Sequence, residues 1–96
     1  MHPDKVRRSH IFKLTDLPNV GPATAGDLRL LGIDKAEQLA GRDAFKLYQQ
    51  LCDITKLRHD PCVLDVFLSL VDFANGAPAR AWWHYTAERK QDFPNL

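Results

Sequence analysis

Apolar residues recur along most of this chain at helical spacing, and nowhere do they alternate with polar ones over a strand's length. The clearest amphipathic stretch follows Asp43, where Ala44, Leu47, Tyr48, Leu51 and Cys52 fall at i, i+3, i+4, i+7 and i+8. They form one apolar stripe of a helix capped by the Asp43 carboxylate. From Pro61 to Asn75 the pattern changes, because apolar positions almost surround the helix. Leu64, Phe67, Leu68 and Val71 make one face, Val63, Val66 and Leu70 another, and only Asp65, Ser69 and Asp72 leave a narrow polar stripe. Such a helix belongs at the centre of a core. Asp60-Pro61 opens it with a cap and a proline at the first helical position.

Shorter segments complete the reading. Leu14–Leu17 forms a short first helix, and Pro22–Leu31 a second, with Ala25, Leu28 and Leu31 facing inward and Gly32 as its stop. Asp34 caps a third with Glu37 at the capping-box position, ended by Gly41. Gly76 stops the central helix, and Pro78 starts a last one carrying Trp82, Trp83, Tyr85 and Arg89. Residues 1–9 hold one apolar residue beyond Met1, namely Val6, and are expected to be a mobile basic arm. Residues 10–96 then form a single all-α domain of about five to six short helices.

The turn between the first two helices carries the most chemistry. In Leu17-Pro18-Asn19-Val20-Gly21-Pro22-Ala23-Thr24-Ala25, apolar Val20 stands between two residue types that tolerate positive φ. The helix that follows has no side-chain acceptor over its first amides. Its unpaired N–H groups and dipole therefore attract anions, nucleic-acid phosphate foremost.

Leu14 to Ile33 resembles the helix-hairpin-helix motif, whose usual core is a Gly-apolar-Gly turn followed by Pro and, three residues later, Ala. Here Asn19 replaces the first Gly, and Ala23-Thr24 stands where a Lys often follows the Pro. The resemblance implies sequence-independent DNA binding through backbone amides from Asn19 and Val20 to Gly21, Ala23 and Thr24, with the Thr24 hydroxyl in place of the lysine. A short internal repeat places Pro61 over Pro22, so that Arg58-His59-Asp60 answers the first turn. This implies a paired helix-hairpin-helix, SAM-like bundle with one degenerate hairpin. In that second copy Asp60 occupies its own helix N-terminus, leaving Lys56 and Arg58 as side-chain contributors. Over nearly its full length the chain is also similar to small bacterial proteins of the mitomycin-resistance or pathogenicity-locus type, and less closely to the C-terminal domain of the TfoX competence regulators. The hairpin, HDPCVLD (residues 59–65) and PARAWWHYTAERK (residues 78–90) carry the first of these likenesses.

Charge tempers the nucleic-acid reading. The chain of 96 residues has a formal net charge of +1, without the clear basic excess of a dedicated binder. Lys5, Arg7, Arg8 and Lys13 give the N-terminal segment a positive charge, whereas acidic residues outnumber basic ones between residues 14 and 55. The arm residues Lys5, Arg7 and Arg8 are expected to add electrostatic attraction. A protein-interaction adaptor without significant nucleic-acid binding is the alternative, with an edge tryptophan as its contact.

Other chemistry recedes. Cys52, His59, Cys62 and His84 match no common zinc spacing, and both cysteines fit reduced core thiols, so no metal and no cofactor is expected. No acid–base pair or nucleophile–base arrangement stands out, and no small-molecule substrate is evident; an enzyme is not expected. No apolar run approaches the ~20 residues of a membrane helix, and a cytoplasmic location is expected. Trp82 and Trp83 fit core and rim packing, a stacking platform for an unpaired base, or an interface with another chain. Gly26, inside a helix, suggests close packing against a neighbouring helix or close approach of a nucleic-acid backbone or partner.

Overall fold

A computed structural model describes residues 1–96 and consists of four α-helices and short 3-10 turns, with no strand. The helices are α1 (Pro22–Leu30), α2 (Ala44–Thr55), α3 (Pro61–Ala74) and α4 (Thr86–Asp92). α3 is the axis of the fold. Its N-terminus is closed by the Asp60 carboxylate, which accepts from the Cys62 N–H at 2.9 Å, with Pro61 at the first position. Leu64, Phe67 and Leu70 are fully buried, and burying each stabilises the fold by about 1.5–3 kcal/mol. α2 lies against it through Ala44, Leu47, Tyr48 and Leu51, all buried, and is capped as its sequence indicates: Asp43 accepts from the Lys46 N–H at 3.1 Å.

Five or six α-helices were too many, for three local reasons. Leu14–Asp16 and Ala36–Leu39 are single 3-10 turns, too short to develop i→i−4 hydrogen bonding. The second of them starts later than Asp34 implies, so Gln38 rather than Glu37 reaches back, accepting from the Asp34 and Lys35 N–H groups, each at 2.8 Å. Pro78 does not start a helix. Residues 77–81 have no regular structure, Trp82–Tyr85 is a 3-10 turn, and only then does α4 begin.

The polar stripe of α3 is not a solvent face. Asp65 is fully buried and accepts from Arg89 Nε at 2.9 Å, from Arg89 Nη2 at 3.3 Å and from the Thr86 hydroxyl at 2.8 Å, which ties α4 to α3.

The segment read as a mobile arm is docked on the fold. Arg8 donates to the carbonyls of Phe73 and Ala77, each at 2.7 Å, and its guanidinium lies 4.0 Å from the centre of the Phe73 ring. It thereby satisfies acceptors at and beyond the negative end of the α3 dipole. Val6 and Ile11 pack against the core. No helix is long and apolar enough to cross a membrane.

Candidate functional site

The Leu17–Gly21 turn is held from beneath by apolar burial. Leu17, Pro18 and Val20 are sunk in the core, and Asn19 between them is half-buried. Asn19 adopts a left-handed conformation, φ 67°, as its residue type suggests. Its side-chain amide donates to Ser69 Oγ at 3.0 Å and to the Arg80 carbonyl at 2.8 Å, while Ser69 donates to the Val66 carbonyl at 2.6 Å. The turn is thus bolted both to α3 and to the stretch before Trp82.

These bonds divide the hairpin residues into framework and donors. The Asn19 N–H is taken by the Met1 carbonyl at 2.8 Å, and the Val20 N–H faces the Leu17 carbonyl at 3.4 Å. Both residues build the turn and offer no amide to a ligand. Gly21, Ala23 and Thr24 differ. The first helical bond runs from the Ala25 N–H to the Gly21 carbonyl at 2.9 Å, and the three amides around it have no partner within the protein. Gly21 is the N-cap, with no side chain to accept from them, and no acidic residue occupies the first turn of α1. Gly21, Pro22 and Ala23 are exposed and Thr24 is half-buried.

Gly21 does not need to be glycine for conformational reasons. Its φ of −101° and ψ of −174° are extended values open to any residue, and a Cβ there would meet nothing within 4 Å. Of the two residue types that tolerate positive φ, Asn19 alone uses it. What glycine supplies is an uncovered helix end.

Gly26 is likewise not a packing glycine, since a Cβ would meet no atom within 4 Å. The expected close approach of a neighbouring helix is absent. Gly26→Ala should then stabilise the protein by about 1 kcal/mol through helix propensity alone, raising the midpoint of thermal unfolding by about 4–8 °C. A thermal melt followed by circular dichroism checks this.

The basic residues named from sequence are dispersed. Lys5 and Arg7 are exposed and free of ion pairs, whereas Arg8 is committed to Phe73 and Ala77. Lys56 and Arg58 are exposed on the α2–α3 connection and make no hydrogen bond to the first turn. Arg80 is the cation that sequence reasoning did not connect with the hairpin. Its carbonyl is bonded to Asn19 and its side chain is exposed. No local signal could reveal a contact between residues so far apart in the chain.

The second connection ends in a capped helix N-terminus, that of α3. Lys56 ends α2 in a left-handed conformation, and the Tyr48 hydroxyl donates to the His59 carbonyl. Thr55 Oγ1 donates to the Leu51 carbonyl and lies 2.8 Å from His59 Nε2. The Cys62 amide holds the Asp60 carboxyl below its ordinary value, while burial and Asp60 push the Cys62 thiol up. Both influences disfavour the thiolate. No three His, Cys, Asp or Glu side chains converge on one point. Of the two tryptophans, Trp82 is half-buried and Trp83 is 58% exposed.

The family described as Cdd1, pathogenicity locus, matches residues 7–91. The chain is 47% identical over 78 residues to the mitomycin resistance protein McrB of Streptomyces lavendulae, covering 81% of this chain and 74% of that protein. No solved structure matches it.

Proposed function

This chain belongs to the Cdd1 pathogenicity-locus family, and we propose that it is a small non-catalytic helix-hairpin-helix protein that binds nucleic acid, principally DNA, without sequence preference. The observation that carries this reading is the uncapped N-terminus of α1, where the amides of Gly21, Ala23 and Thr24 have no acceptor within the protein. A phosphate oxygen suits such donors in charge and geometry. Backbone amides read no base, so binding of this kind is independent of sequence. On this reading α2, its connection and α3 are the second, degenerate hairpin, in which the Asp60 carboxylate stands where the first hairpin takes phosphate. Lys5, Arg7 and Arg80 supply the surrounding positive charge. The role named for the Streptomyces relative, resistance to mitomycin, is extended to this chain on the same footing, as is a cytoplasmic location.

A protein-adaptor role is the second reading, favoured by the 82% exposed ring of Phe12. A salt titration separates the two. One phosphate held by amides and a few cations around it correspond to a slope of log affinity against log salt of about −2 to −4 for duplex DNA. Fluorescence anisotropy with a labelled duplex should give that slope. Absence of binding at low salt would replace the nucleic-acid reading with the adaptor.

A further inference from the structure

We propose that the groove between the N-terminal segment and the run from Ala79 to His84 is a subsite for one unpaired base of a single-stranded nucleic acid. The proposal rests on the phosphate reading of the hairpin and extends it to a neighbouring nucleotide. The groove has a volume of about 350 Å³ and is lined by His2, Pro3, Arg80, Trp83 and His84 among others, at the small end of ligand-sized pockets.

Trp83 is the reason to assign it a base. An indole 58% exposed on a small domain leaves much of its stacking surface unsatisfied. The side chain is nevertheless supported. Trp82 meets it edge-on, with ring centres 5.7 Å apart and planes at 83°, and the His84 ring lies 6.3 Å away at 26°. Stacking on such a platform is tolerant of sequence, because every base presents a π face.

Position supplies the second argument. Asn19 bonds to both walls of the groove: its N–H donates to the Met1 carbonyl, next to His2, and its side chain donates to the Arg80 carbonyl. The residue that shapes the phosphate-facing turn therefore also fixes the groove, placing the two side by side. Hydrogen-bonding groups suit a base too: the Arg80 guanidinium and the imidazoles of His2 and His84 line the groove, with one carboxylate, Asp4, 3.7 Å from His2 Nδ1. A base paired within a duplex is covered on both faces by its neighbours and cannot enter, so the groove selects single strands.

The test compares wild type, Trp83→Ala, Trp83→Phe and Gly21→Asp on a short oligothymidylate and on a duplex. Trp83→Ala should weaken oligothymidylate binding by about 5- to 150-fold and leave duplex affinity unchanged, with Trp83→Phe recovering part of the loss. Oligothymidylate should also quench Trp83 emission in a Trp82→Phe protein, a readout independent of the alanine variant's folding. The subsite is overturned if Trp83→Ala binds oligothymidylate like wild type, if it weakens duplex binding equally, or if only a protein partner protects Trp83. Failure of the hairpin reading is separate: Gly21→Asp would then bind duplex as wild type does.

Discussion

Asp65→Ala should cost about 3–5 kcal/mol, a large share of the ~5–15 kcal/mol available to a domain of this kind. The carboxylate is fully buried and is the acceptor for Arg89 Nε, Arg89 Nη2 and the Thr86 hydroxyl. Its removal leaves the Arg89 guanidinium, itself 8% exposed, charged and without a partner in the seam between α3 and α4. The guanidinium cannot escape by losing its proton, because arginine stays protonated even without its carboxylate partner. The same logic separates the pair's worth from the cost of breaking it. Asp65→Leu combined with Arg89→Met removes both charges and should recover much of the loss, since desolvation offsets most of the attraction within a buried pair. Urea unfolding of the single and double variants checks both statements. A loss below about 1 kcal/mol for Asp65→Ala would place the pair effectively in water.

What the chain discloses locally and what it conceals follow the range of each interaction. The Asp43 and Asp60 caps are legible because donor and acceptor lie within three residues of each other. The left-handed Asn19 is legible from residue type. Asp65 looked like part of a polar stripe and Arg89 like part of a Trp-bearing surface, yet they bury one another across 24 residues. An aspartate within an otherwise apolar helix was the available signal for a buried partner. Arg8 was counted among phosphate contacts, but its carbonyl partners lie 65 and 69 residues away, and periodicity cannot report them. The start of the last helix was misplaced for a similar reason: the Arg80 carbonyl is held by Asn19, 61 residues earlier, in a stretch with no regular structure despite Pro78.

The candidate site divides along the same line. That a helix begins at Pro22 with no side chain over its amides is visible in Gly21-Pro22-Ala23. That the Asn19 and Val20 amides are spent within the fold, leaving Gly21, Ala23 and Thr24 as the donors, depends on the Met1 and Leu17 carbonyls. Reading the turn as a unit therefore gave two donors too many. The placement of Arg80 beside the turn was invisible for the same reason.

Gly21→Asp should move stability and nucleic-acid affinity in opposite directions. Gly21 has the extended backbone of an N-cap and open space where a Cβ would stand, so aspartate fits without strain. Its carboxylate would accept from the Ala23 or Thr24 amide, two or three residues ahead, as Asp60 does from the Cys62 N–H of α3. As an N-cap it should add a few tenths to about 1 kcal/mol of stability. The same carboxylate would fill the place of the phosphate and repel it. Losing even one charge-assisted hydrogen bond to phosphate corresponds to about a tenfold or greater loss of affinity. The decisive measurement is the duplex affinity of Gly21→Asp relative to wild type at low salt, made on protein whose unfolding midpoint is known. Stability equal to or above wild type with affinity reduced by about tenfold or more is the expected result. Unchanged affinity in a stably folded Gly21→Asp protein would contradict the assignment of the α1 amides as the phosphate site.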